Sequence, residues 1–410
     1  MKNLWILNHY AQVPGGSGGT RHFSLAKHLQ SQGWNTSIIA ASIELFTGRQ
    51  RLELGEKNRI ENFEGIPFCW VRSTQYEGNG FGRMVNMLTY SVRVLFPSIL
   101  GGLKKPDVII GSSVHPFAAW SAAVLAKRFN VPFVFEVRDL WPQTLIDLGR
   151  LNSDSIVARL MRCLEKWLYK KADRIVVVLP KAHEYIVPLG ISSEKIEYIP
   201  NGVEINDFPR QMPPQGTDEF ILMYFGAHGL ANGLECVLKA MAELKGKVLS
   251  KKIQLKLVGD GPLKKELQVL AEGLALENVE FSDPVPKSEV PFLASKADAF
   301  VFNLIDAPVF KYGISSNKLF DFLAASRPII FSCDASNNPV EEAGAGITVA
   351  PGKPEALAAA IKEIVEMSYE KRVQKGSSGR EYVEKFHSCE ALASRLSIVL
   401  DEVILEHARN

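Results

Sequence analysis

The 410-residue chain is too long for one ordinary hydrophobic core and suits two domains of about 150 to 200 residues. A hydrophobic content of 46% with 22% charged residues excludes a disordered chain, and 47 basic against 45 acidic residues leave a net charge of +2 that gives no reason to expect nucleic acid. The five cysteines are far apart and form no CxxC pair, which argues against a zinc or disulfide framework and suits reduced thiols in a cytoplasm.

The start, MKNLWILNHY, has only four consecutive apolar residues before Asn8, too few for a signal peptide, and reads as a first strand. VPGGSGGTRH (13–22) then joins that strand to a helical stretch, Phe23 to Gln32, which Thr20 and Arg21 open and Gly33 closes. Gly15, Gly16, Gly18 and Gly19 either turn the chain or let a ligand approach the backbone amides. A GxGxxG fingerprint fails, because the third glycine would fall on Arg21, and no Gly-Lys-Ser/Thr follows to make a P-loop.

Short apolar runs alternate with amphipathic stretches through the first half: TSIIAAS, IPFCWVRS, DVIIGSS, PFVFEVRD, RIVVVLP and IEYIPNG. That pattern predicts a parallel sheet covered on both faces. Residues 84–103 are largely apolar, but Asn86, Arg93 and Pro97 interrupt them and Arg83, Lys104 and Lys105 flank them. This leaves a buried helix pair or a segment lying on an anionic membrane, not a spanning helix. His115 in GSSVHPF and the group Glu136, Arg138, Asp139 and Trp141 in FEVRDLWPQ follow predicted strands, at the carboxyl edge where open parallel sheets bind ligands. An Arg–Asp pair that merely caps the loop is the alternative reading of that group.

The stretch 201–219, with three prolines, is the expected linker. The pattern then restarts with FILMYFG, IQLKLVGDGP, VEFSD, AFVFNL, PIIFSC and GITVAP. Residues 225–241 repeat the strand, glycine loop and helix with Gly226, Gly229 and Gly233. In ISSNKLFDFLAASRPII, Ser315 or Ser316 is expected to cap a helix whose first turn holds Lys318, where a cation is mildly unfavourable unless an anion lies nearby. Asp321 shares the Lys318 face, either as a ribose acceptor or as a plain i,i+3 ion-pair partner. The tail after Pro351 reads as helical.

PGGSGGTRHFSLAKHLQSQGW, RDLWP, IPNGVEINDF, VGDGPLKKEL and SNKLFDFLAASRPII together resemble the GT-B glycosyltransferases of family 4 over essentially the whole chain. The resemblance is closest to fucosamine-transferase-like members of bacterial O-antigen and exopolysaccharide synthesis. It implies an α/β chain of two Rossmann-like parallel-sheet domains facing across a cleft: 1–205 on the acceptor side, 206–385 for the nucleotide sugar, and 386–410 as a helix packing back on the first domain. It also implies a metal-independent, retaining transfer with no cofactor. The expected donor is a UDP-linked N-acetylated amino or deoxy sugar, and the expected acceptor a glycan or polyprenyl-diphosphate-linked glycan. The enzyme is expected in the cytoplasm, peripheral on the inner membrane face.

By position, the resemblance gives donor contacts to Gly15, Gly16, Ser17, Gly18, Gly19 and Asp321 and acceptor contacts to Arg138 and Asp139. The residue readings add Gly226, His228, Asn232, Ser316, Asn317, Lys318 and Leu319 on the donor side and His115, Glu136 and Trp141 on the acceptor side, with catalysis expected of Arg138, Asp139 and Lys318. Asp321 takes the second acidic place of the family's Glu-x7-Glu motif, whose first place is Gly313 here. The family's usual Arg and Lys in the glycine loop are Ala227 and Asn232, with Lys318 the natural substitute toward a diphosphate. Rival readings are a UDP-sugar epimerase of the same fold, a non-catalytic glycan- or nucleotide-binding protein and a nicotinamide dehydrogenase, the last disfavoured by the failed fingerprint.

Overall fold

The computed structural model describes every residue except 16–19, 45–47, 77, 79 and 410. The chain divides into two compact units, Met1–Pro200 with Cys389–Asn410, and Asn201–Ser388.

The first unit comprises β1 (Lys2–Leu7), α1 (Arg21–Ser31), β2 (Trp34–Ala41), β3 (Asn58–Phe63), β4 (Ile66–Val71), α2 (Phe81–Arg93), α3 (Pro97–Leu100), β5 (Val108–Ser112), α4 (Pro116–Phe129), β6 (Phe133–Val137), α5 (Gln143–Asp147), α6 (Ile156–Lys171), β7 (Arg174–Val177), α7 (Ala182–Ile186) and β8 (Ile196–Tyr198). Among the described residues its sheet runs β3-β4-β2-β1-β5-β6-β7-β8. The pairs are parallel, as the continuous apolar runs predict, except that β3 pairs antiparallel with β4. NRIENF is mostly polar and sits at the sheet edge, so it carried no buried-strand signal.

With this strand order, the right-handed rule for parallel crossovers places α1 on one face of the sheet and α2, α4 and α6 on the other, and α2 and α6 both pack on α4. The chain returns at its end with α15 (Cys389–His407), which packs along α1. Leu392, Leu396, Leu400 and Val403 join Leu25, Leu29 and Trp34 in one core, and Trp34 Nε1–H donates to Ser397 Oγ at 3.0 Å. The segment 84–103 is neither wholly buried nor free. α2 buries Asn86, Met87, Tyr90 and Ser91 and exposes Phe81, Met84, Leu88 and Val92.

The second unit contains β9 (Glu219–Phe225), α8 (Leu234–Glu243), β10 (Lys252–Val258), α9 (Lys264–Gly273), β11 (Val279–Ser282), α10 (Val290–Ser295), β12 (Ala299–Asn303), α11 (Asn317–Ala324), β13 (Ile329–Ser332), α12 (Pro339–Glu342), β14 (Gly346–Val349), α13 (Pro354–Glu366) and α14 (Tyr369–Phe386). Its parallel sheet runs β11-β10-β9-β12-β13-β14. Phe300 and Phe322 stack at 4.4 Å between ring centres and tie α11 to the sheet. The proline-rich stretch after Asn201 does not hang free. Arg380 donates to the Phe208 and Ile205 carbonyls, and Arg327 to those of Gln211 and Met212, which satisfies carbonyls of a segment that pairs with the rest of the unit through the Val203–Ser388 bridge.

Candidate functional site

In the second unit the groups of interest lie at the carboxyl ends of β9 and β12 and the start of α11. After β9 the chain turns at Gly226 (φ 140°), and its carbonyl lies so near Gly259 that a Cβ there would sit 2.0 Å away. Gly261 makes the same close approach to the His228 carbonyl, at 2.6 Å. The GAHG and GDGP loops therefore pack backbone to backbone, which only glycine permits. Asn303, at the end of β12, donates through Nδ2 to the Asn232 and Gly233 carbonyls at 3.0 and 2.9 Å and fixes the far end of the first loop.

Lys318 reaches into this loop from the first turn of α11. Its Nζ donates to the Tyr224 hydroxyl at 2.7 Å and to Asn232 Oδ1, while the Tyr224 hydroxyl donates to the Ala227 carbonyl at 2.7 Å. Among the described residues no carboxylate pairs with Lys318, and burial pushes its ammonium down to about 7. The structure thus brings Gly226, Asn232 and Lys318 together, as the substitution pattern suggested. Tyr224 is the partner that sequence did not indicate, because a strand tyrosine reads as core.

The serine side-chain cap expected of this helix is corrected, the ion-pair alternative for Asp321 falls away, and Leu319 faces the core as its spacing predicts. Ser316 occupies the N-cap position, but neither it nor Ser315 caps with its side chain; the Ser315 hydroxyl instead accepts from the Asn201 amide at 2.8 Å. The first-turn amides, including Asn317 and Lys318, therefore lack a side-chain cap. Asp321 does not pair with Lys318, since Lys287 donates to both its oxygens at 2.6 and 2.5 Å. Leu319 is fully buried on the core side of α11, so only its backbone could face a ligand. His228 is also fully buried, and neither ring nitrogen has a partner. Burial and the nearby Lys264 push its pKa down to about 4, so the ring is neutral.

The first unit gathers polar groups at the carboxyl ends of β1, β5 and β6. Glu136 is 3% exposed. Arg21 Nε donates to its Oε1 at 2.8 Å, and His22 Nε2 lies 2.6 Å from its Oε2. Asn8 Nδ2 can only donate, so His22 Nδ1 accepts at 2.8 Å and the ring proton sits on Nε2, facing the carboxylate. Burial alone would raise the Glu136 carboxyl. His22 and Arg21 outweigh it and hold the group well below the usual carboxylate range. Arg21 also donates to the Ile199 carbonyl at 2.8 Å and to that of Pro200.

The acceptor contact expected of Glu136 therefore gives way to a positioning role, tying β6 to the first turn of α1. His115 is corrected in the same way. Its ring is buried, its Nδ1 accepts from the Ala118 amide at 3.3 Å as the cap of α4, and it packs on His9 at 4.7 Å. Arg138 is half-buried and Asp139 exposed at the end of β6, with the Arg138 amide held by Ser113 Oγ at 3.0 Å. Trp141 is half-buried, and its amide donates to the Asp139 carbonyl at 3.0 Å. Gly15 has φ 79° and open space on the side where a Cβ would stand, while Gly16, Ser17, Gly18 and Gly19 lie outside the described residues.

Two sugar-transfer families match this architecture. Residues 16–202 match the glycosyl transferase 4-like domain and 219–367 the group 1 glycosyl transferases. The chain belongs to the GT-B glycosyltransferases of family 4. It is 25% identical over 275 residues to the probable glycosyltransferase WbjE of Pseudomonas aeruginosa, covering 64% of this chain and 67% of that one. It is 23% identical to WcaI of Escherichia coli, named for colanic acid biosynthesis, over 80% of this chain and 82% of that protein. Among solved structures, the sucrose-phosphate synthase of Thermosynechococcus elongatus superposes with a TM-score of 0.76 at 18% identity, covering 99% of this chain and 100% of that one. HepE of Anabaena, solved with UDP and glucose, gives 0.67 at 16% identity over 98% and 99%. These likenesses bear on the fold.

Proposed function

We propose that this glycosyltransferase is a retaining enzyme of surface-polysaccharide synthesis that moves an N-acetylated amino or deoxy sugar from UDP to a lipid-linked glycan. One observation carries the donor assignment: Lys318, bonded only to neutral oxygens, stands at an uncapped helix start against a glycine loop. A diphosphate supplies the counter-charge that this lysine lacks and accepts from the open first-turn amides. Asp321, steadied by Lys287, keeps lone pairs for ribose hydroxyls. That HepE was solved with UDP-glucose, and that WcaI is named for polysaccharide synthesis, fits this reading.

No side chain is assigned as a covalent nucleophile, and no metal or cofactor is required. The sugar–phosphate bond breaks as the acceptor oxygen bonds to the same face of the anomeric carbon, and the leaving phosphate oxygen takes the acceptor proton. Lys318 offsets the charge that develops on that phosphate, while Arg138 and Asp139 position the acceptor. The apolar side of α2 supports a peripheral contact with an anionic membrane at the cytoplasmic face, through residues 81–105.

A panel of nucleotides and nucleotide sugars in thermal-shift assays tests the donor, since a true donor stabilises by mass action. UDP and a UDP-sugar should raise Tm where ADP, GDP and NAD do not. Interconversion of a UDP-sugar without acceptor would replace transfer by epimerisation.

A further inference from the structure

α6 carries exposed apolar side chains on the surface of the first unit. Ile156 is 75% exposed and Leu160 65%, and Trp167 follows on the same side two turns later. Beside this stripe stand Arg159, Arg162, Lys166, Lys170 and Lys171, all exposed, and among the described residues none is in an ion pair. The helix's one carboxylate, Glu165, is buried on the opposite side, where the Tyr169 and Tyr185 hydroxyls bind it at 3.0 Å. A helix exposed merely to water would not keep an apolar stripe between cations.

The neighbouring elements continue this surface. α2 and α6 both pack on α4, within the layer on one face of the sheet. α2 presents Phe81, Met84, Leu88 and Val92 to solvent, with Phe96 just beyond its end, and α4 ends in the exposed Lys127 and Arg128.

We infer that α6, together with α2, seats the first unit on an anionic phospholipid bilayer, the apolar stripes entering the acyl boundary and the lysines and arginines meeting the headgroups. The inference rests on the peripheral-membrane reading above and extends it from residues 81–105 to a second helix. Charge complementarity selects the occupant. Apolar side chains with unpaired cations match an anionic lipid surface, whereas a second copy of this face would oppose like charges.

Co-sedimentation of the full chain with phosphatidylglycerol–phosphatidylcholine vesicles, and with phosphatidylcholine alone, tests it. Wild type should pellet with the anionic vesicles, lose that binding as salt rises, and stay in solution with the neutral ones. The double variant Ile156→Asp/Leu160→Asp should bind about tenfold or more weakly. Arg159→Glu/Lys166→Glu, which alters no packing, should bind weakly as well, with Tm and UDP binding unchanged in both. Wild-type affinity in both α6 variants, with loss only in Phe81→Asp/Val92→Asp, would overturn the α6 inference and leave the earlier membrane reading standing. Absence of wild-type binding to anionic vesicles at low salt would remove both. Equal binding to neutral vesicles, or a solution dimer that Leu160→Asp dissociates, would also overturn the inference.

Discussion

Lys318 concentrates the chemistry of the second unit in one side chain. A lysine whose folded pKa falls from 10.5 to about 7 costs stability at neutral pH, and that cost fades as pH rises from about 7 toward 10.5, where the unfolded chain also loses its proton. A bound diphosphate restores the ammonium, so UDP binding above about pH 7 should take up a proton and weaken as pH rises. Calorimetry in buffers of different ionisation heat reads that uptake, and its absence at pH 8 would mean that Lys318 does not meet the phosphates. In the first unit, Glu136→Gln strands Arg21 without its buried counter-charge and should cost about 3 to 5 kcal/mol in thermal unfolding. Asp139→Asn, at an exposed position, should leave stability alone and lower turnover far more than UDP affinity. A tenfold loss of UDP affinity with normal transfer at saturating donor would remove Asp139 from the acceptor side.

At the scale of elements, the sequence told most where the signal is local. Apolar runs such as LWIL and FVFEV name buried parallel strands, and the Leu319, Phe322 and Leu323 spacing names the buried face of α11. What stayed hidden are pairings across long separations. Arg21 meets Glu136, Tyr224 meets Lys318 and Lys287 meets Asp321 only after folding, and no local period records them. β3 escaped for a different reason, because an edge strand with polar residues lacks the burial that marks its neighbours. α6 offers a test of its own. Burial pushes the Glu165 carboxyl up to about 8 against the pull of the Tyr185 and Tyr169 hydroxyls. A carboxyl whose folded pKa is raised favours the folded state at low pH, and this advantage is lost as pH rises from about 4.5 to about 8. Glu165→Gln should therefore melt with wild type near pH 5 and above it near pH 9; the reverse order would show that the buried carboxylate is stabilising.

At the scale of the whole molecule, α15 completes a unit whose other elements lie about 190 or more residues earlier in the chain. Its buried leucines and valines cover α1 and Trp34, so deleting 389–410 would return several apolar side chains to water, each worth about 1.5 to 3 kcal/mol. That sum approaches the whole stability of an ordinary domain. The deletion should leave the first unit unfolded or insoluble; a cooperative melt at the wild-type temperature would contradict the packing described.

The central claim is that Lys318 replaces the family's missing loop cations as the anchor of a UDP diphosphate, and titration of UDP and of uridine into wild type and Lys318→Ala tests it most directly. Folding of the variant should be intact or improved by about 0.3 to 1 kcal/mol, because a cation leaves the positive end of α11. UDP binding should weaken by about 1.5 to 3 kcal/mol, roughly ten- to over a hundredfold, through loss of a charge-assisted contact. Uridine should bind both proteins alike, since Asp321 rather than Lys318 is assigned to the ribose. Equal UDP affinities in the two proteins would contradict the account and leave Lys318 as a structural partner of Tyr224 and Asn232.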